Sequence, residues 1–376
     1  MADRLKVLFL SEGALGTVMG HASYDGAIAP TLQRTAEVES RFIGLPRQSR
    51  ALQALSRDVR GLRGRDLDLQ TLRWHVIHAL LARKALKAEL EDFDPDVVHV
   101  RSHVITFGLI DYMKRIPIVP VVDVTTWDWR AMGIWRPVRR HSRAMLWPSE
   151  LAERRAFSGA ALVLAMSGWT EASIKRSAPA ARVVRHHPGI NLEIYRPAEP
   201  ADGDRPLRVL FVGARFERKG GMDLVNVLEG RLGKDVELDV VTREGVPYQP
   251  GIRTHVLDTN DPRLVELYQQ ADVMCLPTYG DATPWAVLEA MACGTPVIST
   301  DIGGISELLD GGNAGVLVRP GDRDGLRREL FGLLDDEQRR RDLGARARAY
   351  VEESYDAAKQ GAILLELLSD VSKRRP

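Results

Sequence analysis

Short apolar runs alternate with longer stretches of mixed apolar and polar residues along the whole chain. In the first half the runs are KVLFL (6–10), DVVHV (96–100), IVPVVDV (118–124) and ALVLAM (161–166), each followed by a loop and a helical pattern. Hydrophobicity that is continuous along a run marks a strand buried on both faces, as in parallel sheets covered by helices. After HHPGINLEIYRPAEPADGDRP, rich in Pro, Gly and acids, the pattern restarts with LRVLFVG (207–213), VELDVVT (236–242), DVMCLPT (272–278) and TPVISTD (295–301). This predicts an α/β chain of two Rossmann-like domains, over residues 1–190 and 207–355, with a linker over 191–206. Open α/β sheets bind ligands beyond the carboxyl ends of their strands, so the domains are expected to face each other across a cleft that holds the site.

One helical pattern stands out in GDATPWAVLEAMACGTPVIST (280–300), where Asp281 and Glu289 lie eight positions apart. Thr283 suits the N-cap and Pro284 the first helical position, so PWAVLEAMAC is predicted to run as a helix until Gly294. Asp281 then lies in the loop before the helix and Glu289 on its second turn. The helix N-terminus favours an anion there. Glu289 has apolar neighbours, and two readings stay open. It either seeks partners such as vicinal ribose hydroxyls, or it faces solvent on an amphipathic helix.

The loop VGARFERKGGMDLV (212–225) joins a predicted strand to a helix. Gly213, Gly220 and Gly221 allow close backbone approach, and Arg215, Arg218 and Lys219 carry positive charge. That combination suits a phosphate group, and equally an ordinary solvated basic turn. It lacks the Gly-Lys-Ser/Thr of a P-loop and the glycine spacing of a dinucleotide fingerprint.

Composition narrows the classes. At 376 residues the chain is too long for one ordinary core, and 44% apolar with 27% charged residues is a globular composition. Lys plus Arg (52) balance Asp plus Glu (51), which argues against a nucleic-acid partner. Cys275 and Cys293, the two cysteines, make no disulfide framework, and a cytoplasmic setting is expected. MADRLKVLFLSEGALG reads as a first buried strand rather than a signal peptide, and no run approaches the roughly 18–20 apolar residues of a membrane span. Membrane contact would therefore come from the surface, at the inner face. In WDWRAMGIWRPVRRHSRAMLWPSE (127–150), Arg136, Arg139, Arg140 and Arg143 fall at helical spacing, flanked by Trp135 and Trp147. This segment would dock on anionic lipid headgroups or hold a charged acceptor; the plainer reading is a solvated basic face.

Other chemical-looking features have plain explanations. DFDPD (92–96) precedes a strand and reads as an acidic turn, not a metal site. WHVIH (74–78) sets His75 and His78 one turn apart without a third ligand, which reads as a helix surface. His186 and His187 read as part of the linker entry.

DATPWAVLEAMACGTPVISTDIGGISELL closely resembles the Glu-x7-Glu region of the retaining glycosyltransferases of family 4, which have the GT-B fold. PDVVHV (95–100), LVLAMSGWT (162–170), HPGINLEIYRP (187–197), RVLFVGARFERKGG (208–221), LVELYQQADVMCLPT (264–278) and GGNAGVLVRPGD (311–322) resemble further segments of that family in its order. The resemblance implies transfer of a sugar from a UDP- or GDP-linked donor to an unknown glycan, lipid-linked or small-molecule acceptor. It implies retention of configuration and no metal or other cofactor, in cell-envelope glycan, glycolipid or secondary-metabolite synthesis. It places Glu289 at the ribose, Asp281 by the donor sugar and Lys219 at the diphosphate, with Gly213 opening the same loop and Thr283 among the donor-binding residues. Gly16 falls in a glycine-rich loop that approaches the diphosphate from the other domain. A C-terminal helix over 356–376 is expected to cross back to the first domain.

The chain also departs from the family pattern. Ala214 stands where an arginine usually follows the glycine, so Arg215 or Arg218 takes that role. Asp123 replaces the histidine after the fourth strand, and would orient the donor sugar or assist the acceptor hydroxyl. The first acid is Asp rather than Glu, and Pro284 removes a backbone N–H where glycine is common. Two other readings remain: a nucleotide-sugar epimerase of the same fold, or a catalytically silent nucleotide-sugar binding protein.

Overall fold

A computed structural model describes residues 4–13, 27–29, 32, 35, 37–55, 57, 69–132, 140–199, 205–259 and 261–374. They divide into two compact units, one of residues 1–188 with 358–376 and one of residues 189–357. The span 191–206, read from composition as a linker, falls within the second unit's bounds.

The first unit is built on a parallel sheet of β1 (Leu5–Ser11), β2 (Val38–Gly44), β3 (Val97–Arg101), β4 (Ile118–Val122), β5 (Val163–Ala165) and β6 (Val183–Arg185), in the order β2-β1-β3-β4-β5-β6. Register is set where apolar residues face covering helices on both sides. Leu8, Leu10, Val98, Val100, Ile118 and Val122 pack with Leu86, Phe157 and Ile174 in one core. Fully burying each such side chain contributes about 1.5–3 kcal/mol. The last residues of the chain belong to this unit: Leu364, Leu368 and Val371 of the helix Ala357–Ser372 are buried. His186 Nε2 lies 3.0 Å from the carbonyl of Gln360 in that helix.

The second unit holds β7 (Leu207–Val212), β8 (Val236–Val241), β9 (Ile252–His255), β10 (Val273–Leu276), β11 (Val297–Thr300) and β12 (Val316–Val318), in the order β12-β11-β10-β7-β8-β9. Every pairing in both sheets is parallel. Counted within the unit, this is the 3-2-1-4-5-6 order of a dinucleotide-binding sheet, and the direction of winding reverses between β7 and β10. That reversal opens a crevice at the carboxyl ends of these two strands.

The histidines of WHVIH are not on a helix surface. In the helix Gln70–Glu89, His75 is 1% and His78 8% exposed; His75 Nδ1 lies 2.7 Å from Ser149 Oγ and His78 Nδ1 2.8 Å from the carbonyl of Trp74. Burial lowers His75 to about 4, with the neighbouring His78 adding to the effect, so this imidazole is a neutral core group. Among the described residues no group of His, Cys, Asp and Glu is arranged to hold a metal ion. The acidic turn before β3 is tied to β1, where Asp96 accepts from the Lys6 backbone N–H at 2.9 Å.

Candidate functional site

The loop after β7 is shaped by one buried aromatic. Phe216 is 1% exposed and packs edge-on against Phe211 at 5.3 Å between ring centroids, which turns its charged neighbours outward. Gly220 follows in the left-handed region (φ 79°), and a Cβ there would lie 2.0 Å from the Pro277 carbonyl oxygen. No other residue type allows this loop to close against the one after β10. At Gly213 a Cβ would stand 3.2 Å from Lys219 Cγ, so the glycine leaves room for the lysine stem.

The consequence is an ion pair across the switch point. Lys219 Nζ meets Asp281 Oδ2, with both side chains largely shielded (15% and 17% exposed). Arg218 donates through Nη1 to the Gly280 carbonyl, and its guanidinium is near enough to Asp281 to feel its charge, although burial lowers its pKa. Arg215 turns away, with Nη1 3.3 Å from Glu244 Oε1 and a side chain 60% exposed. Of the two arginines considered for the family role, Arg218 is therefore the one beside the acid. Asp223, at the start of the helix Gly221–Leu228, accepts from Tyr279 Oη and from Arg323 Nε at 2.6 Å, which ties the β10 loop down from behind.

The helix after that loop runs Trp285–Ala292 and corrects the expected cap. Pro284 occupies the N-cap with φ −69° and ψ 113°, and among the described residues no side chain caps the helix and Thr283 Oγ1 is buried without a hydrogen-bond partner. Proline's fixed φ and missing N–H suit this non-helical position as well as the first helical one. Gly294 (φ 75°) ends the helix.

Glu289 is 6% exposed, which removes the solvent-facing reading. Its Oε2 accepts from Tyr268 Oη at 2.6 Å and its Oε1 from Tyr195 Oη at 3.2 Å. Burial raises its pKa and the two phenols pull it back down. Neither tyrosine announces this contact in the sequence. Tyr268 follows Leu264 by four residues on the buried face of the helix Pro262–Gln270, where an aromatic is ordinary core.

Asp123 lies in the first unit, directly after β4, and its carbonyl accepts from Thr170 Oγ1 at 2.6 Å. Gly16, Trp135, Arg136 and Arg139 lie outside the described residues, as do the side chains of Arg140 and Arg143. No helix among the described residues is long and apolar enough to cross a membrane.

Thr126, three positions after Asp123, meets an acid that pattern reading missed. Glu153, on the helix Arg140–Gly159, is 1% exposed; its Oε2 accepts from Thr126 N at 2.8 Å and Thr126 Oγ1 at 2.7 Å. Burial raises it from 4.5 to about 8, against the downward pull of the Thr126 bonds. A raised acid favours the fold fully below pH 4.5, and that contribution is lost as pH rises through 8. Unit 1 is thus expected to lose on the order of 1 kcal/mol between pH 7 and 9, and Glu153→Gln to abolish that loss. Thermal unfolding at both pH values tests this; equal losses in both chains would refute it.

Comparison with known proteins places this geometry. The family model for glycosyl transferases group 1 matches residues 206–336, and that for glycosyltransferase family 4 matches residues 29–194. The chain is 30% identical to the alpha-maltose-1-phosphate synthase of Mycolicibacterium smegmatis, over 60% of this chain and 67% of that one. It is 29% identical to the D-inositol 3-phosphate glycosyltransferase of Xylanimonas cellulosilytica, over 66% and 68%. With the enzyme of the same name from Paenarthrobacter aurescens the match spans 49% of that protein. Among solved structures, sucrose-phosphate synthase of Thermosynechococcus elongatus superposes with a TM-score of 0.72 at 18% identity, covering 98% of this chain and 99% of that one. Anabaena HepE in complex with UDP-glucose gives 0.68 at 16%, covering 98% and 100%. The two Rossmann-like units are thus of the GT-B class.

Proposed function

The chain belongs to the family 4 glycosyltransferases, and on that premise we propose that it is a retaining enzyme moving a sugar from a nucleoside diphosphate donor to an acceptor hydroxyl. Cell-envelope glycan, glycolipid or secondary-metabolite synthesis is the setting that suits it. The observation that carries the reading is the shielded Lys219–Asp281 pair at the switch point of the second sheet. A solved neighbour bound to UDP-glucose and relatives named as glycosyltransferases support a nucleotide-sugar donor.

The chemistry requires charge to be neutralised on a departing diphosphate while positive charge develops at the anomeric carbon. Lys219 exchanges its carboxylate partner for the diphosphate, Arg218 assists from the neighbouring position, and Asp281 is released to accept from hydroxyls of the donor sugar. Glu289 takes the ribose hydroxyls in place of Tyr195, whose 3.2 Å bond is the longer of its two. The anomeric C–O bond to phosphate breaks as the acceptor oxygen bonds the same face. The acceptor proton passes to the leaving phosphate oxygen, and Asp123 orients the acceptor or the donor sugar. Lys219 and Arg218 supply the needed charge, so no metal takes part.

Incubation with labelled UDP- and GDP-sugars, with the product's anomeric configuration read by proton NMR, tests the proposal. Transfer or slow donor hydrolysis with retention, undiminished by chelator, is expected. An inverted product overturns retention and loss of activity on chelation overturns metal independence. Inversion at another sugar carbon indicates the epimerase, and tight binding without turnover the silent binding protein.

A further inference from the structure

An aspartate carries its carboxylate on a single methylene, so the backbone and two side-chain torsions fix where the group stands. At Asp281 that backbone is held from two sides. Gly303, in the left-handed region (φ 62°), brings the loop after β11 so close that a Cβ would collide with the Asp281 carbonyl oxygen. The Gly304 N–H donates to the Ala282 carbonyl at 2.8 Å. From the loop after β7, the Arg218 carbonyl accepts from the Tyr279 N–H at 3.1 Å, and Arg218 Nη1 donates to the Gly280 carbonyl.

A third hold comes from a side chain. Tyr279 is 44% exposed and its ring lies outside the hydrophobic core, yet its hydroxyl donates to Asp223 Oδ2. Core packing therefore does not set the place of this residue, and the hydroxyl bond does. Asp223 is 5% exposed on the first turn of the helix Gly221–Leu228, where the helix N-terminus favours a negative charge. Its Oδ1 accepts from Arg323 Nε at 2.6 Å, so the carboxylate is held at both oxygens. The bond to Asp223 raises the phenol's pKa, which keeps Tyr279 protonated as the donor. With Arg323 alone, 58% exposed, Asp223 would make a surface ion pair of little consequence. Tyr279 gives that pair a second end, two residues from Asp281.

We infer that Asp223 is a positioning residue for sugar transfer: through the Tyr279 hydroxyl it fixes the loop after β10, and so holds Asp281 in place beside Lys219, although its own bonds are to Tyr279 and Arg323. Its part in the reaction rests on the transferase reading; the tie between Asp223 and the loop does not. A group misplaced by about 1 Å costs roughly a hundredfold in rate. A loop that keeps its bonds to Arg218 and Gly304 shifts less, and its loosening should cost about tenfold.

Tyr279→Phe deletes one hydroxyl from a part-exposed side chain, and its melting temperature should stay near that of the parent chain. Turnover of labelled donor is expected to fall about tenfold, while UDP affinity by calorimetry is unchanged. In an Asp281→Ala background the same substitution should slow turnover no further, because both act through one group. Asp223→Ala should repeat the loss, and Asp223→Asn, whose amide oxygen still accepts from the phenol, should restore most of it. Hydrogen exchange of the nucleotide-free chain reads the tie directly: the Tyr279 and Gly280 amides are expected to exchange faster in Tyr279→Phe. Unchanged turnover, an equal loss of UDP affinity, a full effect in the Asp281→Ala background or no rescue by Asp223→Asn overturns the inference. Unchanged exchange overturns it whatever the chain transfers. Faster exchange in a chain that transfers from no nucleotide sugar would uphold the tie and remove the proposed function instead.

Discussion

Lys219→Ala is expected to weaken nucleotide-sugar binding about a hundredfold and to slow transfer by roughly 10²–10³. The loss has two sources. The cation that meets the diphosphate is gone, and Asp281, only 17% exposed, is left as an unpaired negative charge facing the incoming anion. Two like charges about 4 Å apart repel by about 4 kcal/mol at an effective dielectric near 20. Removing Asp281 as well should therefore recover part of the UDP affinity without recovering transfer. That non-additivity is what a shared contact predicts. Arg218→Ala should cost less, and Arg215→Ala least, because Arg215 is turned to Glu244 and exposed. Calorimetry with UDP and with UDP- and GDP-sugars measures all of these, and unchanged donor affinity in Lys219→Ala would remove the assignment of the diphosphate to this loop.

The second large effect is expected at Glu289. Truncation to alanine deletes a buried carboxylate and leaves the hydroxyls of Tyr195 and Tyr268 without their acceptor. At about 1–3 kcal/mol for each stranded group, unit 2 should lose roughly 3–5 kcal/mol, on the order of 10 °C in its melting temperature. Donor affinity should fall with it, and loss of fold alone would look the same. Tyr195→Phe separates the two. It removes only the 3.2 Å bond, so stability should change little, and nucleotide affinity should hold or improve because the ribose meets no competitor at Oε1. If Tyr195→Phe instead lowers nucleotide affinity as far as Glu289→Ala does, Glu289 is a scaffold for the tyrosines and not a ribose ligand.

Hydrophobic pattern alone marks the central strands of both sheets and not their edges. Val7 to Leu10 of β1 are 0–3% exposed, so both faces demand apolar residues and the run is unbroken. Edge strand β2, VESRFIG, has no fully buried residue, and its Glu and Arg interrupt the run. The edge strand β12, Val316–Val318, is apolar throughout but three residues long, too short a run to read as a strand. Glu153 and His75 show the converse failure. Each lies on a long helix whose polar residues mostly face water, and nothing within one turn distinguishes the acid or imidazole that a neighbouring element will cover.

What the sequence by itself determined is local and periodic: the α/β alternation, the restart of the pattern near residue 207, and the ordered motifs that mark the family. It also supplied the residue types of the donor loops. Only the tertiary structure decided which of them meet. Lys219 and Asp281 are 62 positions apart and come together because β10 pairs with β7, the adjacency at which the sheet order reverses. Likewise Glu289 is buried because Tyr268 and Tyr195 arrive from other elements to receive it. Hydrophobic periodicity records how each segment divides its faces between core and water, a property of that segment alone. Strand order and the partners of a buried charge depend on how all segments pack at once, and no single stretch of sequence contains that information.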